Sequence, residues 1–280
     1  MAGKTQTIVA RPDELPSMRR EPWVARWSVP LAVAALVYLV VAVFFPVLGF
    51  EFVDFDVHDQ VTANPHIRGL TLENIGHILT SRCITSYYPV RTLSYALDFQ
   101  IWGMRPLGFE LSNILFHLAN TLLVFWLIRR LVRRADADSP SPQPISKRRV
   151  SLGWWETFAA AFGAAVFAIH PVVVEPVVWI GGREELLMTL GALATIHLHL
   201  AARGTQAGGG SRSRARAFHA AAAVTCAAAC LSNAVGAVIP FLVAALDFLL
   251  PPRLPWKKIL AGTAALWIIS ATTLVLKHYD

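Results

Sequence analysis

Charge is what this sequence has least of. Only 15% of its 280 residues are Asp, Glu, Lys or Arg, while 55% are hydrophobic and mean hydropathy is +0.50. A soluble domain carries about 25% charged residues, so a chain wrapped around one water-covered core is excluded. Cysteine is also scarce. Three residues cannot build a disulfide framework. Cys226 and Cys230, four apart in an apolar run, read as small packing residues, and Cys83 stands alone in its loop. Internal repeats are missing, as is a small-residue cleavage signal near the first apolar run, which is therefore expected to stay as an anchor.

The apolar residues that are present come in clusters. Seven runs approach the ~20 residues that a membrane span requires: 27–50, 107–129, 155–171, 185–202, 217–232, 233–250 and 258–276. The predicted fold is all-α, a polytopic bundle of seven transmembrane helices. Lys and Arg orient it. The leader 1–26 and the segments 129–152, 203–216 and 251–258 carry 19 of the 25 basic residues and all fall on one side. The positive-inside rule makes that side cytoplasmic. The same bias accounts for the net charge of +7 without nucleic acid as a partner. Loops 130–152, rich in Pro and Ser, and 203–216, rich in Gly, Ser and Arg, have compositions that bury little and are expected to be flexible. Residues 27–280 then form one membrane module whose chemistry is expected on the outer side.

The sizeable outer segment is 51–106. It contains two predicted amphipathic helices. One carries Leu72, Ile75, Ile78 and Leu79 behind a Thr71 N-cap, and the other carries Leu93, Leu97 and Ile101. Both are expected to lie on the membrane surface. At its start, FVDFDVHDQV sets Asp54, Asp56, His58 and Asp59 directly after the first span. A second outer stretch, HPVVVEPVVWIGGREE, brings His170, Glu175, Arg183, Glu184 and Glu185 to the same compartment, with Gly181 and Gly182 allowing a close turn. An Arg at a helix N-terminus suits a phosphate, and a plain structural turn suits these residues equally. His58 and Asp56 are a sparse donor set for a divalent metal, which stays open.

Within the second span, Glu110, Asn113, His117 and Asn120 share one face, as interior-facing polar residues do. Asn113 and Asn120 are expected to join helices, Glu110 to be solvated near the outer end, and His117 to do either. His197 and His199, two apart on a helix, point to different faces and are not a shared ligand site. Asp247 is expected to cap or snorkel.

Taken in order, FVDFDVHDQVTANPHI, LTLENI, SYYPVRTLSYALDFQIWG, GFELSNILFHLANTLLVFWLIRRL, HPVVVEPVVWIGGREELL and LSNAVGAVIPFLVAALDFLL resemble membrane glycosyltransferases of the C type (GT-C). The resemblance is to the O-mannosyltransferase-like branch that often carries tetratricopeptide repeats. It implies transfer of a sugar, mannose-like, from a polyprenyl-phosphate donor to a protein or glycan acceptor on the periplasmic or lumenal face. It also implies that Asp56 is the catalytic base. Asp54, His58, Asp59, His170, Glu175 and Arg183 become candidate substrate contacts. Some relatives use a divalent metal and others none. Two departures stand out: Val57 where relatives show a second acidic residue, and Asn233-Ala234 where they commonly show Lys-Glu. Relatives generally have more spans as well. The alternative is a degenerate or truncated GT-C-like scaffold without transferase activity; a transporter, lacking any repeat symmetry, is third.

Overall fold

The computed structural model describes residues 23–53, 56–82, 87–137, 145–251 and 253–278. The leader to Glu21 and Pro22, Asp54 and Cys83 lie outside them. The described residues are all helix and connection, with no strand. Ten α-helices follow one another: α1 (Trp23–Phe44), α2 (Leu72–Thr80), α3 (Pro89–Trp102), α4 (Pro106–Ala137), α5 (Ile145–Ile169), α6 (Val174–Val178), α7 (Arg183–Ala207), α8 (Arg212–Ser232), α9 (Ile239–Leu249) and α10 (Trp256–His278).

Among the described residues, five helical segments are long and apolar enough to cross a membrane: Arg26–Gly49, Pro106–Ala135, Ile180–Ala207, Arg212–Ser232 and Trp256–Lys277. A sixth forms only if Trp154–Ile169 and Pro171–Val178 are joined across a 53° bend. The bend has a cause. Pro171 cannot donate to the helical ladder, and His170 turns its Nδ1 to accept from Val172 N at 3.2 Å, starting a new turn. The seventh apolar run, expected at 233–250, is a shorter apolar helix, Ala234–Leu249. Its first five residues are 3-10 coil, whose steeper rise stretches the element to about 26 Å, just under the ~30 Å hydrocarbon layer.

Exterior positions are apolar where a soluble protein would be charged. Phe162, Val224, Phe248 and Ile268 are each more than 60% exposed, which only a lipid environment makes inexpensive. α7 and α8 pack most closely. At Gly191 a Cβ would lie 2.8 Å from Thr225 O, so the small residue sets the approach. Thr195 and Thr225 join these two helices through their hydroxyls at 2.8 Å. Helix α9 is tied by Asp247, which is buried rather than capping or snorkelling. Its Oδ1 meets His199 Nε2 at 2.9 Å and Arg203 Nη1 at 2.8 Å. His197 instead contacts Leu123 O at 2.9 Å on α4, so the two histidines do face different ways.

The described parts of the two loops expected to be flexible are largely helical, while residues 138–144 lie outside the described residues. α4 continues to Ala137, α7 to Ala207, and α8 starts at Arg212. The outer segment contains the two short helices expected there, α2 and α3, and packs as well. Val57, Val61, Ile67, Ile78, Tyr95, Ala96, Phe109 and Ile180 form a hydrophobic core of its own. Thr71 caps α2 as expected, accepting from Asn74 N at 3.1 Å. In α3, however, Leu97 and Ile101 are exposed while Arg91, Thr92, Tyr95 and Asp98 are buried. Of the stripe read from the sequence, Leu97 and Ile101 face outward while Leu93 packs against this core, and the inner face is mixed, with Tyr95 and Ala96 beside Arg91 and Asp98.

Candidate functional site

The polar face of α3 meets the start of α7, and two arginines lie there. Arg183 is fully buried. Its Nε donates to Asn113 Oδ1 at 2.7 Å, its Nη1 to Asp98 Oδ2 at 2.5 Å and to Ser94 Oγ at 3.4 Å, and its Nη2 to Phe109 O at 2.6 Å. Tyr95 lies 4.6 Å beneath the guanidinium. Burial raises the Asp98 carboxyl above its ordinary range, and Arg183 and the Ser112 hydroxyl, 2.7 Å away, pull it back. Every nitrogen of Arg183 is engaged. The expected substrate contact is instead a strut joining α3, α4 and α7, reached because Gly182 brings the turn close. A Cβ at Gly182 would lie 2.8 Å from Pro176 Cα.

Arg91 has a different set of neighbours. Its Nη1 pairs with Glu184, its Cζ sits 5.1 Å over the Tyr88 ring, and its Nε is buried without a partner. Lys277, from the far end of the chain, places Nζ 4.2 Å over the same ring, and that nitrogen is also buried and unpartnered. Arg82 donates from Nη2 to Lys277 O at 3.1 Å and keeps a third unpartnered nitrogen, Nε. Asp56 is exposed and near enough to Glu184 for their charges to interact. Four distant parts of the chain thus bring one carboxylate, an Arg–Glu pair and two more cations to a single mouth.

The remaining candidates are close by. Asp59, His66, His77, Arg82 and Tyr88 line a cavity of about 230 Å³ at this end. His66 and His77 stack there with ring centres 3.4 Å apart. His58 is exposed beside Thr62, with Nδ1 and Oγ1 3.2 Å apart. Glu175 is exposed and interacts electrostatically with Glu185, whereas His170 serves the bend described above. Among the described residues no three His, Cys, Asp or Glu side chains form a metal-holding group.

In α4 the polar stripe joins helices. Asn113 Nδ2 reaches Val177 O and Trp179 O at 3.4 Å, and Asn120 Nδ2 donates to Leu186 O at 3.0 Å. His117 Nε2 lies 2.9 Å from Ala168 O. Glu110, expected to be solvated, is 2% exposed with Oε2 unpartnered. The departures from the GT-C pattern have local structural roles. Val57 is 1% exposed in the outer core, and Asn233 Oδ1 accepts from Val235 N at 2.9 Å to start the turn before α9.

Sequence reasoning passed over Arg82, Arg91 and Lys277 as site residues. The signal was available: they are among the six basic residues that lie off the basic side of the chain.

No family model and no solved structure matches the chain. Curated relatives do. Protein O-mannosyl-transferase F38B6.6 of Caenorhabditis elegans is 30% identical over 174 residues, covering 59% of this chain and 22% of that protein. Protein O-mannosyl-transferase Tmtc3 of Drosophila melanogaster is 30% identical over 115 residues, 39% of this chain and 12% of that protein. Protein O-mannosyl-transferase TMTC2 of Mus musculus is 32% identical over 125 residues, 44% and 12% respectively. The chain thus spans less than a quarter of the length of these relatives. Its all-α architecture with apolar spans and its shared sequence agree with the GT-C resemblance, and over the matched stretch the chain is a homologue of proteins named protein O-mannosyl-transferases.

Proposed function

We propose that the protein is a membrane glycosyltransferase that moves a mannose-like sugar from a polyprenyl-phosphate donor to a protein or glycan acceptor. The observation that carries this is the outer mouth: Asp56 beside the Arg91–Glu184 pair, with Arg82 and Lys277 presenting unpartnered cationic nitrogens. A hydroxyl is a weak nucleophile and needs a base as it attacks. Asp56 takes the acceptor proton while the new bond forms between the acceptor oxygen and the sugar C1. The bond from C1 to the phosphate oxygen breaks on the opposite side, inverting the configuration. The lipid phosphate leaves with the electron pair and is met by Arg82, Arg91 and Lys277, the preorganised charges such a step requires. Arg183 positions the outer segment from beneath. Asp54, His58, Asp59 and Glu175 are proposed acceptor contacts at the rim. The Lys and Arg bias supports a cytoplasmic N-terminus and an outer mouth on the periplasmic or lumenal face.

A second reading has specific support. Val57 and Asn233 occupy structural positions where the resemblance implies acidic and basic side chains, as in a scaffold that has lost transfer. One assay separates the two. Purified protein in nanodiscs is given radiolabelled polyprenyl-phosphate mannose and membrane extract, with wild type beside Asp56→Asn. Label reaching an acceptor with wild type alone establishes the enzyme. Absence of both transfer and donor binding in folded wild type establishes the scaffold.

A further inference from the structure

The opposite end of the bundle holds a second concentration of charge. Trp126, Arg129, Arg130 and Arg133 of α4, with His197 of α7, line a cavity of about 280 Å³. Among the described side chains, Glu156 is the acidic group that meets Arg129 and Arg133. Arg133 Nε bonds Glu156 at 2.5 Å, but Arg130 Nη1 is held by a neutral carbonyl, His197 O, at 3.0 Å, and Arg129 Nε by the Thr157 hydroxyl at 3.4 Å. Arg129 and Arg133, four residues apart on one face, repel each other as like charges do at that spacing. The cavity therefore combines excess positive charge, half-buried arginines and a ring at its edge.

The other basic residues of this end differ. Arg212, Arg214 and Arg216 are exposed and lie outside the lining of this cavity. Below the cavity, toward the middle of the span, Leu115, Leu122 and Trp126 fall at helical spacing along α4, with Leu115 and Trp126 exposed. An apolar strip thus leads up the helix to a cationic cup at the level where the span ends. Trp at that level is the usual mark of the interface.

We infer that this cup binds the phosphate headgroup of an anionic glycerophospholipid, with Arg129 and Arg130 on the phosphate and an acyl chain along Leu115, Leu122 and Trp126. The charge excess selects a net-negative headgroup over a zwitterionic one, and the apolar strip selects a lipid over free phosphate. The site is separate from the outer mouth and stands whether or not the protein transfers sugar.

The test is native mass spectrometry of the full chain in detergent, titrated with phosphatidylglycerol or phosphatidylcholine, each with and without inorganic phosphate. Wild type is expected to retain one phosphatidylglycerol about tenfold more tightly than phosphatidylcholine, a preference in line with one to two arginines near a headgroup, and inorganic phosphate should not displace it. Arg129→Gln with Arg130→Gln should abolish the preference, and Arg212→Gln with Arg214→Gln should keep it. Equal retention of the two lipids by wild type would overturn the proposal, as would equal losses in the two double variants. Displacement by inorganic phosphate would make the cup a free-anion site instead and equally overturn it. If the Arg129 and Arg130 double variant does not fold, the single Arg130→Gln variant decides: a reduced preference for phosphatidylglycerol supports the cup, and an unchanged one overturns it.

Discussion

Arg183 and Arg91 are both buried, the first packed against α3 and the second within it, and both face a tyrosine, yet they stand in opposite conditions. Arg183 gives all its nitrogens to Asp98, Asn113, Ser94 and a carbonyl. Arg91 pairs with one carboxylate and keeps Nε without a partner, and Lys277 across the same ring is in the same state. A saturated buried cation holds a fold together, since removing it strands its partners. An unsaturated one is costly to keep and makes sense where an anion arrives. The comparison is why Arg82, Arg91 and Lys277, rather than Arg183, are proposed as the phosphate contacts.

The largest effect that would break this reading lies outside either arginine. Asp56→Asn should lower transfer about a thousandfold, the middle of the range for a lost general base, with membrane insertion unchanged. Full activity in that variant would remove Asp56 from the base role. Arg183→Ala should destabilise the protein by about 3–5 kcal/mol, because Asp98 is left buried without its partner. Thermal unfolding in detergent measures this, and a midpoint equal to wild type would show the strut to be dispensable. Lys277→Met keeps the stem and removes the charge. It should raise the donor KM or lower kcat by about tenfold, a typical value for one lost charge-assisted contact, with little change in unfolding midpoint. A stability loss without a kinetic change would make Lys277 a second strut. Thr71→Ala, at the cap of α2, should cost about 1 kcal/mol and leave transfer intact, which makes it a control for variants acting through the outer segment alone.

Much of the architecture was legible because a membrane leaves few options. Long apolar runs must become helices, and Lys and Arg at their ends mark sides. Thr71 was readable as a cap because capping is local, and Asn113 and Asn120 as helix-joining groups because of their shared face. The inner face of α3 was not legible. Leu93, Leu97 and Ile101 formed the apolar stripe, but only Leu93 packed inward, and the bundle buried Arg91 and Asp98 as well, since Glu184, Arg183 and Ser112 were there to pair with them. The fate of Glu110 was equally hidden, because burial at a span end depends on which helices cover it.

By itself the sequence determined a helical membrane bundle with a basic side, and it placed Asp56 just beyond the first span, because hydrophobic length and charge position act locally along the chain. Only the tertiary structure decided that residue 277 would reach residue 88, that Arg183 would be a strut, and that Arg91 would keep an open nitrogen. Those outcomes depend on which charges meet after packing, and in a low-dielectric interior the partner a cation finds determines its role.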